Sequence, residues 1–336
     1  MKHSSLRAAA CLTLLAFLAG CGASGAAKRP AQSDAYAWTP GATAAVSACS
    51  KSSASESTVP AASAPAAAAG FAFAAFQDST FTAPRAVQQN EVSADLSSLA
   101  QGYAGISAVC ASRLKFQVVC GDVVYNYDLP GDGTPTIYPL QSGSGSYKLR
   151  VMKNIQDQQY VELWSEKVDV QLADEFQPYL RPSQLVSYSA DSACVAKARQ
   201  LAQGCASDAD YVSAVYDYLT QNVVYDYDKA NSVQSGYLPD PDETLSTGKG
   251  ICFDYAALAA AMLRSGGVPT KLIMGYVGGT IYHAWNEIYL QDQGWVKVEI
   301  RLSAQQWQRI DTTFAATGAD TAFLTDDANY VKQKTY

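Results

Sequence analysis

The sequence has 336 residues and a formal net charge of −7, from 24 Lys and Arg against 31 Asp and Glu. This length is enough for about two domains. An acidic chain without runs of basic residues neutralises phosphates poorly, which argues against a nucleic-acid-binding function.

The first twenty residues have the organisation of an export signal. A basic start is followed by the apolar run L-T-L-L-A-F-L and then by L-A-G-C, which ends at Cys21. The apolar run is too short to span a bilayer as a helix. We expect residues 1–20 to be a lipoprotein signal peptide, with Cys21 lipidated, for example by palmitate. The protein would then be held at the cell membrane by lipid and face outside the cytoplasm. The alternative is an ordinary secretory signal.

Composition divides the next part of the chain into two segments. Residues 21–90 are rich in Ala, Ser and Pro, which predicts a disordered tether. Residues 91–188 show period-2 alternation, for example at Tyr147, Leu149 and Val151, with Gly, Pro and Asp between the runs. This pattern predicts short antiparallel strands and a small β-sandwich-like domain. No catalytic constellation is visible in it.

Residues 189–325 begin with a helical period and continue with strands. An Ala-rich apolar run from Cys252 to about Ser265 predicts a helix that ends before two glycines. The runs Y-H-A-W-N-E-I-Y-L, G-W-V-K-V-E-I-R-L and W-Q-R-I-D-T-T-F predict three antiparallel strands. Residues 326–336 are interpreted as a C-terminal tail.

Cysteine positions suggest few disulfides. Cys110 and Cys120 flank the probable strand K-F-Q-V-V and could close a short loop in an oxidising compartment. Cys194 and Cys205 lie in a run that reads as one helix. They would be about 16 Å apart, too far to pair.

Cys252 is a candidate nucleophile. It begins a helix, where unpaired N–H groups and the helix dipole favour a thiolate. Taken alone, Cys252 fits a small core residue better than a nucleophile. A nucleophilic thiol needs a base, and His283 is the one histidine outside the predicted signal peptide. Glu299 and Asp311 are the candidate carboxylates that would orient the imidazole.

The blocks G-K-G-I-C-F-D-Y-A-A-L, H-A-W-N-E-I-Y and W-Q-R-I-D-T-T-F occur in this order over residues 190–320. Together they resemble the bacterial transglutaminase-like superfamily, relatives of the papain-like cysteine proteases. The resemblance implies an α+β papain-like core, in which the cysteine-bearing helix packs on an antiparallel sheet. It also implies a triad of Cys252, His283 and Asp311, with Glu299 as the fallback carboxylate.

One feature of animal transglutaminases is missing. They use a tryptophan upstream of the cysteine to support the oxyanion, and no tryptophan lies between Trp164 and Cys252. The backbone N–H of Cys252 is one candidate donor, and the hydroxyl of Tyr225 or Tyr237 is another.

No metal or cofactor is expected. T-G-K-G lacks the P-loop spacing, and one histidine without a CxxC pair argues against zinc. The function that the sequence favours is a cysteine hydrolase that cleaves amide bonds in peptide, protein or cell-wall substrates. Two alternatives stay open. One is a protein-glutamine acyl transferase with the same triad, and the other is a non-catalytic binding or scaffold lipoprotein that keeps the fold.

Overall fold

The computed structural model describes residues 70–82, 86–89, 91–277, 281–302, 307–311 and 330–336. Within these, the strand residues 86–89, 281, 299–302 and 307–311 are described by their backbone alone. The predicted signal peptide, the lipidation site Cys21 and most of the predicted tether lie outside the described residues. In the part of the chain that is described, no helix is long and apolar enough to cross a membrane.

Two four-stranded antiparallel sheets form an N-terminal β domain. Its strands are β1 (Ala86–Gln89), β2 (Val92–Asp95), β3 (Tyr103–Ala108), β4 (Leu114–Cys120), β5 (Val123–Leu129), β6 (Thr136–Pro139), β7 (Gly145–Gln156) and β8 (Gln159–Val170). One sheet has the order β1-β2-β3-β6 and the other β5-β4-β7-β8. The rings of Phe116 on β4 and Tyr138 on β6 lie 4.4 Å apart, so the two sheets pack face to face. The strand alternation predicted this core, because Tyr147, Leu149 and Val151 are all buried.

Five helices follow, with two very short strands between them. They are α1 (Ala193–Leu201), α2 (Asp208–Asn222), α3 (Tyr227–Ser232), α4 (Pro241–Thr247) and α5 (Cys252–Ser265). Helix α2 begins where Ser207 Oγ accepts the N–H of Asp210. The short strands β9 (Val224–Tyr225) and β10 (Lys249–Gly250) pair in parallel, with Gly250 opposite Tyr225. This pairing holds the end of α2 against the start of α5.

A five-stranded antiparallel sheet covers α5. Its strands are β11 (Thr270–Val277), β12 (Ile281–Leu290), β13 (Gly294–Leu302), β14 (Trp307–Asp311) and β15 (Tyr330–Thr335), in the order β14-β13-β12-β11-β15. The α+β arrangement with a cysteine-bearing helix on an antiparallel sheet is therefore confirmed. The predicted C-terminal tail is wrong for residues 330–335, which pair with β11. This pairing joins residues about 60 apart in sequence, and a local pattern does not encode it.

The predicted tether is also wrong in its last part. Residues 70–82 form an extended segment that packs on both domains. The Phe71 ring stacks on Tyr211 of α2 at 4.6 Å, and its N–H donates to the carbonyl of Cys205. The N–H of Thr80 donates to the hydroxyl of Tyr103 in the β domain. Phenylalanines spaced among alanines anchor this segment, although its average composition resembles that of a linker.

None of the cysteines in the described regions forms a disulfide. Cys110, Cys120, Cys194, Cys205 and Cys252 are all free thiols. The suggested pair of Cys110 and Cys120 is therefore wrong in this structure. Cys194 and Cys205 are unpaired as expected, although α1 ends at Leu201 and does not reach the second cysteine.

Arg264 connects the end of α5 to three other parts of the chain through hydrogen bonds. Its side chain is only 2% exposed. The guanidinium donates to the main-chain oxygens of Thr270 at 2.8 Å, Arg181 at 3.0 Å and Tyr336 at 2.9 Å. Three parts of the chain that are distant in sequence thus meet at one cation. Burial lowers the pKa of Arg264 to about 10, so it still carries its charge at neutral pH.

We expect Arg264→Met to lower the free energy of unfolding by roughly 3 kcal/mol or more, because three main-chain oxygens lose the charged donor that is buried among them. Urea denaturation followed by tryptophan fluorescence measures this. The control is Arg113→Met, whose side chain is 62% exposed and pairs with Asp128 on the surface. It should cost less than about 1 kcal/mol. Equal costs for the two variants would contradict the role given to Arg264.

Candidate active site

Helix α5 is buried on all sides. Every residue from Phe253 to Ser265 is buried, and only Cys252 at its first position is partly exposed. A helix that is apolar around its whole circumference is typical of a core position. Its alanines, including Ala259, Ala260 and Ala261, let the neighbouring elements approach closely. Cys252 is therefore the residue of α5 that is most open to solvent.

The Cys252 sulfur lies against strand β12. Cys252 and Ala284 line the same small cavity, and the backbone N–H of Ala284 favours the thiolate form, which lowers the pKa of the thiol. Pairing between β12 and β13 runs from Leu290 with Gly294 to Asn286 with Val298 and does not extend to Ala284. The thiol therefore meets β12 beyond the point where the two strands separate.

A small cavity adjoins the thiol. Its volume is about 10 Å³, which is about the space of one water molecule. It is lined by Tyr216, Cys252, Tyr255, Ala256, Ala284, Trp285 and Asn286. The hydroxyl of Tyr216 donates to Asn286 Oδ1 at 2.8 Å, and Asn286 Nδ2 donates to the carbonyl of Ala256 at 3.0 Å. The buried Asn286 thus ties β12 to α2 and α5 beside the cavity, a role that we did not predict. The signal for it was a polar residue within an apolar strand.

Burial raises the pKa of the Cys252 thiol to about 11. Hydrogen bonds from the N–H groups of Ala284, Phe253 and Cys252 itself lower it, but by less. This direction is opposite to the one expected from the helix N-terminus alone. The expectation considered the helix dipole, whereas packing around the first turn removes water that would stabilise a thiolate. The thiol therefore needs a further positive charge nearby to ionise at neutral pH.

His283 lies one residue before Ala284 on β12, opposite Gly275 of β11. It is partly exposed, and its ring is nearly parallel to the indole of Trp285, with centroids 6.3 Å apart. The structure thus places His283 next along the chain to the residue that contacts the Cys252 sulfur.

The two candidate carboxylates lie on the next strands of the sheet. Asp311 on β14 is opposite Val298, which in turn is opposite Asn286 on β12. Glu299 is opposite Ile310. Asp311 is therefore in the row of Asn286, three residues along β12 from His283. The side chains of both candidates lie outside the described atoms, so the backbone register alone does not choose between them.

The two candidate tyrosines have different environments. The hydroxyl of Tyr237 donates to Asp254 Oδ1 at 2.5 Å, so it is already engaged and is a poor oxyanion donor. Tyr225 pairs with Gly250, two residues before Cys252. Burial and the proximity of Cys252 raise the pKa of Tyr225, so its hydroxyl stays protonated at neutral pH.

The first turn of α5 contains a buried carboxylate that we did not predict. Asp254 is fully buried. Its Oδ2 accepts the N–H of Ile251 at 2.8 Å and the ammonium of Lys229 at 2.9 Å. The signal for it was an acidic residue at the third position of the helix, where a carboxylate caps the helix N-terminus. Among the residues described, no group of three or more His, Cys, Asp and Glu could hold a metal ion.

Comparison with known protein families finds a match for the region that contains Cys252 and His283. Residues 195–300 match the model of the transglutaminase-like superfamily. The match contains Cys252, His283 and Glu299 and ends before Asp311.

The proteins similar to this chain include two curated relatives and one solved structure. A protein-glutamine gamma-glutamyltransferase of Pseudomonas aeruginosa is 32% identical over 71 residues, which cover 17% of this chain and 11% of that protein. The mouse kyphoscoliosis peptidase is 27% identical over 132 residues, which cover 36% of this chain and 18% of that protein. The matches thus span less than a fifth of either relative. Red sea bream transglutaminase is 14% identical, with a TM-score of 0.26 over 59% of this chain and 48% of that chain.

The family match covers helix α5 and strand β12, which carry the first two of the three sequence blocks, and the third block lies beyond it. Residues 195–300 of this chain are therefore a domain of the transglutaminase-like superfamily.

Proposed function

We propose that the protein is a cysteine hydrolase that cleaves amide bonds of peptide, protein or cell-wall substrates, with Cys252 as its nucleophile. The observation that carries this proposal is the position of Cys252. It is the one partly exposed residue of α5, and its sulfur contacts Ala284, the neighbour of His283. Both residues lie within the segment that matches the transglutaminase-like superfamily.

The raised pKa of the thiol determines how the reaction begins. The proton of Cys252 passes to His283, and the imidazolium then stabilises the thiolate. The thiolate attacks the amide carbonyl carbon, and the carbonyl oxygen becomes an oxyanion that backbone N–H groups at the start of α5 stabilise. The C–N bond breaks as His283 donates its proton to the leaving amine.

The second half of the reaction releases the acyl group. The acyl group remains on Cys252 as a thioester. His283, now neutral, removes a proton from a water molecule, and the water oxygen attacks the thioester carbonyl. A carboxylic acid leaves and the thiol is restored. Asp311, with Glu299 as the fallback, would hold the imidazole in the tautomer that both steps need.

Acyl transfer is the second candidate function. In that case an amine, for example of a lysine side chain, attacks the same thioester in place of water. The name of the Pseudomonas relative supports transfer and that of the mouse relative supports peptide hydrolysis. The raised pKa of the Cys252 thiol and the small cavity, which has space for about one water molecule, favour the third candidate function, that of a non-catalytic binding protein. Product analysis separates the three.

The triad is tested by substitution. We expect Cys252→Ala and His283→Gln each to lower kcat/KM on a cleaved peptide by about 10³-fold or more, because both groups take part in bond breaking. Asp311→Asn should lower kcat at least about tenfold more than Glu299→Gln. Mass spectrometry of the products, with and without added methylamine, distinguishes hydrolysis from transfer. Cys205→Ala, which removes a partly exposed thiol outside the site, is the control.

Two outcomes would contradict the proposal. One is a Cys252→Ala variant that cleaves as fast as the parent. The other is a parent protein that neither cleaves peptides nor forms an acyl-enzyme with any member of a broad peptide panel. The second result would favour the binding protein.

We further propose that the protein is a lipoprotein held at the membrane through Cys21, which rests on the sequence alone. A cell that expresses the parent chain should incorporate radiolabelled palmitate into the protein and retain it in the membrane fraction. Cys21→Ser should lose both the label and the membrane retention, whereas Cys49→Ser should keep both. Equal labelling of the parent and Cys21→Ser would contradict this location.

A further inference from the structure

The connection between α2 and α4 wraps the first turn of α5. The N–H of Val224 donates to the carbonyl of Gly248, and the N–H of Asp226 donates to the carbonyl of Gly250, both at 2.9 Å. The Tyr237 ring meets Phe253 edge-on, with centroids 6.3 Å apart. Residues 224–237 therefore form one wall around the nucleophile.

Asp254 is the point where this wall is attached to α5. Its carboxylate has three donors: the Ile251 N–H, the Lys229 ammonium and the Tyr237 hydroxyl. There is no room beside it, because a Cβ on Gly250 would lie 2.7 Å from the Asp254 Cβ. The carboxylate is therefore fixed both by its hydrogen bonds and by packing.

The negative charge of Asp254 affects how easily the Cys252 thiol forms a thiolate. Asp254 is fully buried and lies two residues after Cys252, where an unpaired anion would oppose formation of a thiolate. Lys229 is the cation that pairs with it, at 2.9 Å, and only 24% of the Lys229 side chain is exposed. The ammonium also lies 4.5 Å from the centre of the Tyr237 ring, a cation–π contact that helps to hold it in place.

We propose that Lys229 is a positioning residue for Cys252. Acting through Asp254, its ammonium neutralises the buried anion next to the nucleophile and fixes the first turn of α5 against the α2–α4 connection. This inference rests on the proposed function, since it concerns the readiness of Cys252 to react. It assigns a role to the α2–α4 connection that the catalytic triad does not include.

Several titratable groups lie near the thiol, and each of them affects the pH dependence of Cys252 alkylation. They are Asp254 and Tyr255 from α5, Tyr225 from β9 and Tyr216 from α2, and His283 lies next to Ala284 on β12. The test must therefore change one charge and keep the others. Lys229 contacts Asp254 and not the sulfur, so its substitution leaves the remaining groups in place.

The experiment measures the rate of iodoacetamide alkylation of Cys252 against pH in the full-length protein, with site-resolved mass spectrometry. We expect Lys229→Met to move the midpoint of the profile up by about one pH unit, which slows alkylation about tenfold at any pH well below both midpoints. Lys229→Arg should stay closer to the parent, because it keeps the charge. The double variant Lys229→Met/Asp254→Asn should return towards the parent midpoint, because both charges are gone.

The matched control is Lys249→Met. Lys249 is exposed and lies three residues from Cys252, but it does not contact Asp254. Because solvent screens its charge, its removal should move the midpoint by less than about 0.3 pH units. An equal shift in Lys229→Met and Lys249→Met would overturn the inference, and so would an unchanged midpoint in Lys229→Met.

A purely structural role for Lys229 gives a different pattern. It would lower stability without moving the midpoint, and Asp254→Asn would not compensate. If Lys229→Met fails to fold, Asp254→Asn alone tests the same point, since asparagine keeps the volume and an acceptor for Ile251. Its midpoint should fall below that of the parent, and an unchanged midpoint would overturn the inference. Alkylation needs no substrate, so these outcomes are separate from failure of the proposed hydrolase activity.

Discussion

The burial of helix α5 is the constraint on which the rest of this domain depends. The helix lies between the five-stranded sheet and the other helices, and packing covers all of it except Cys252 at its first position. Its alanines make this close packing possible, because larger side chains would hold the neighbouring elements apart. The same packing leaves Cys252 as the one partly exposed residue of the helix and removes the water that would stabilise a thiolate. The packing that positions Cys252 therefore also raises the pKa of its thiol, and other residues must stabilise the thiolate.

The buried polar side chains of α5 itself have defined partners. Asp254 in the first turn is paired with Lys229 and Tyr237. The Ala256 carbonyl accepts from Asn286, and Arg264 in the last turn donates to three main-chain oxygens. Because an unpaired buried polar group costs more than its hydrogen bond gains, these contacts set the position of the helix along the sheet. The polar residues of the site thus serve stability and the placement of the thiol together.

The sequence predicted what local patterns encode. Alternation at Tyr147, Leu149 and Val151 revealed the β domain, and the Ala-rich run after Cys252 revealed the central helix. Long-range contacts were not visible. Strand β15 pairs with β11, and Lys229 reaches Asp254 from a separate helix. The raised pKa of Cys252 was missed for the same reason, because desolvation depends on elements that only the fold brings together. The choice between Asp311 and Glu299 depends on side-chain positions that neither the sequence nor the backbone register determines.

The central claim is that Cys252 reacts as a thiolate paired with His283. The pH dependence of Cys252 alkylation in the parent and in His283→Ala tests it most directly. We expect the parent thiol to react with a midpoint well below its ordinary pKa of about 8.5, because the imidazolium offsets the cost of burial. In His283→Ala the midpoint should rise towards about 11, the pKa to which burial raises this thiol after the nearby N–H groups have partly offset it. A parent midpoint near 11 that does not change in the variant would contradict the claim and leave Cys252 as a buried structural thiol.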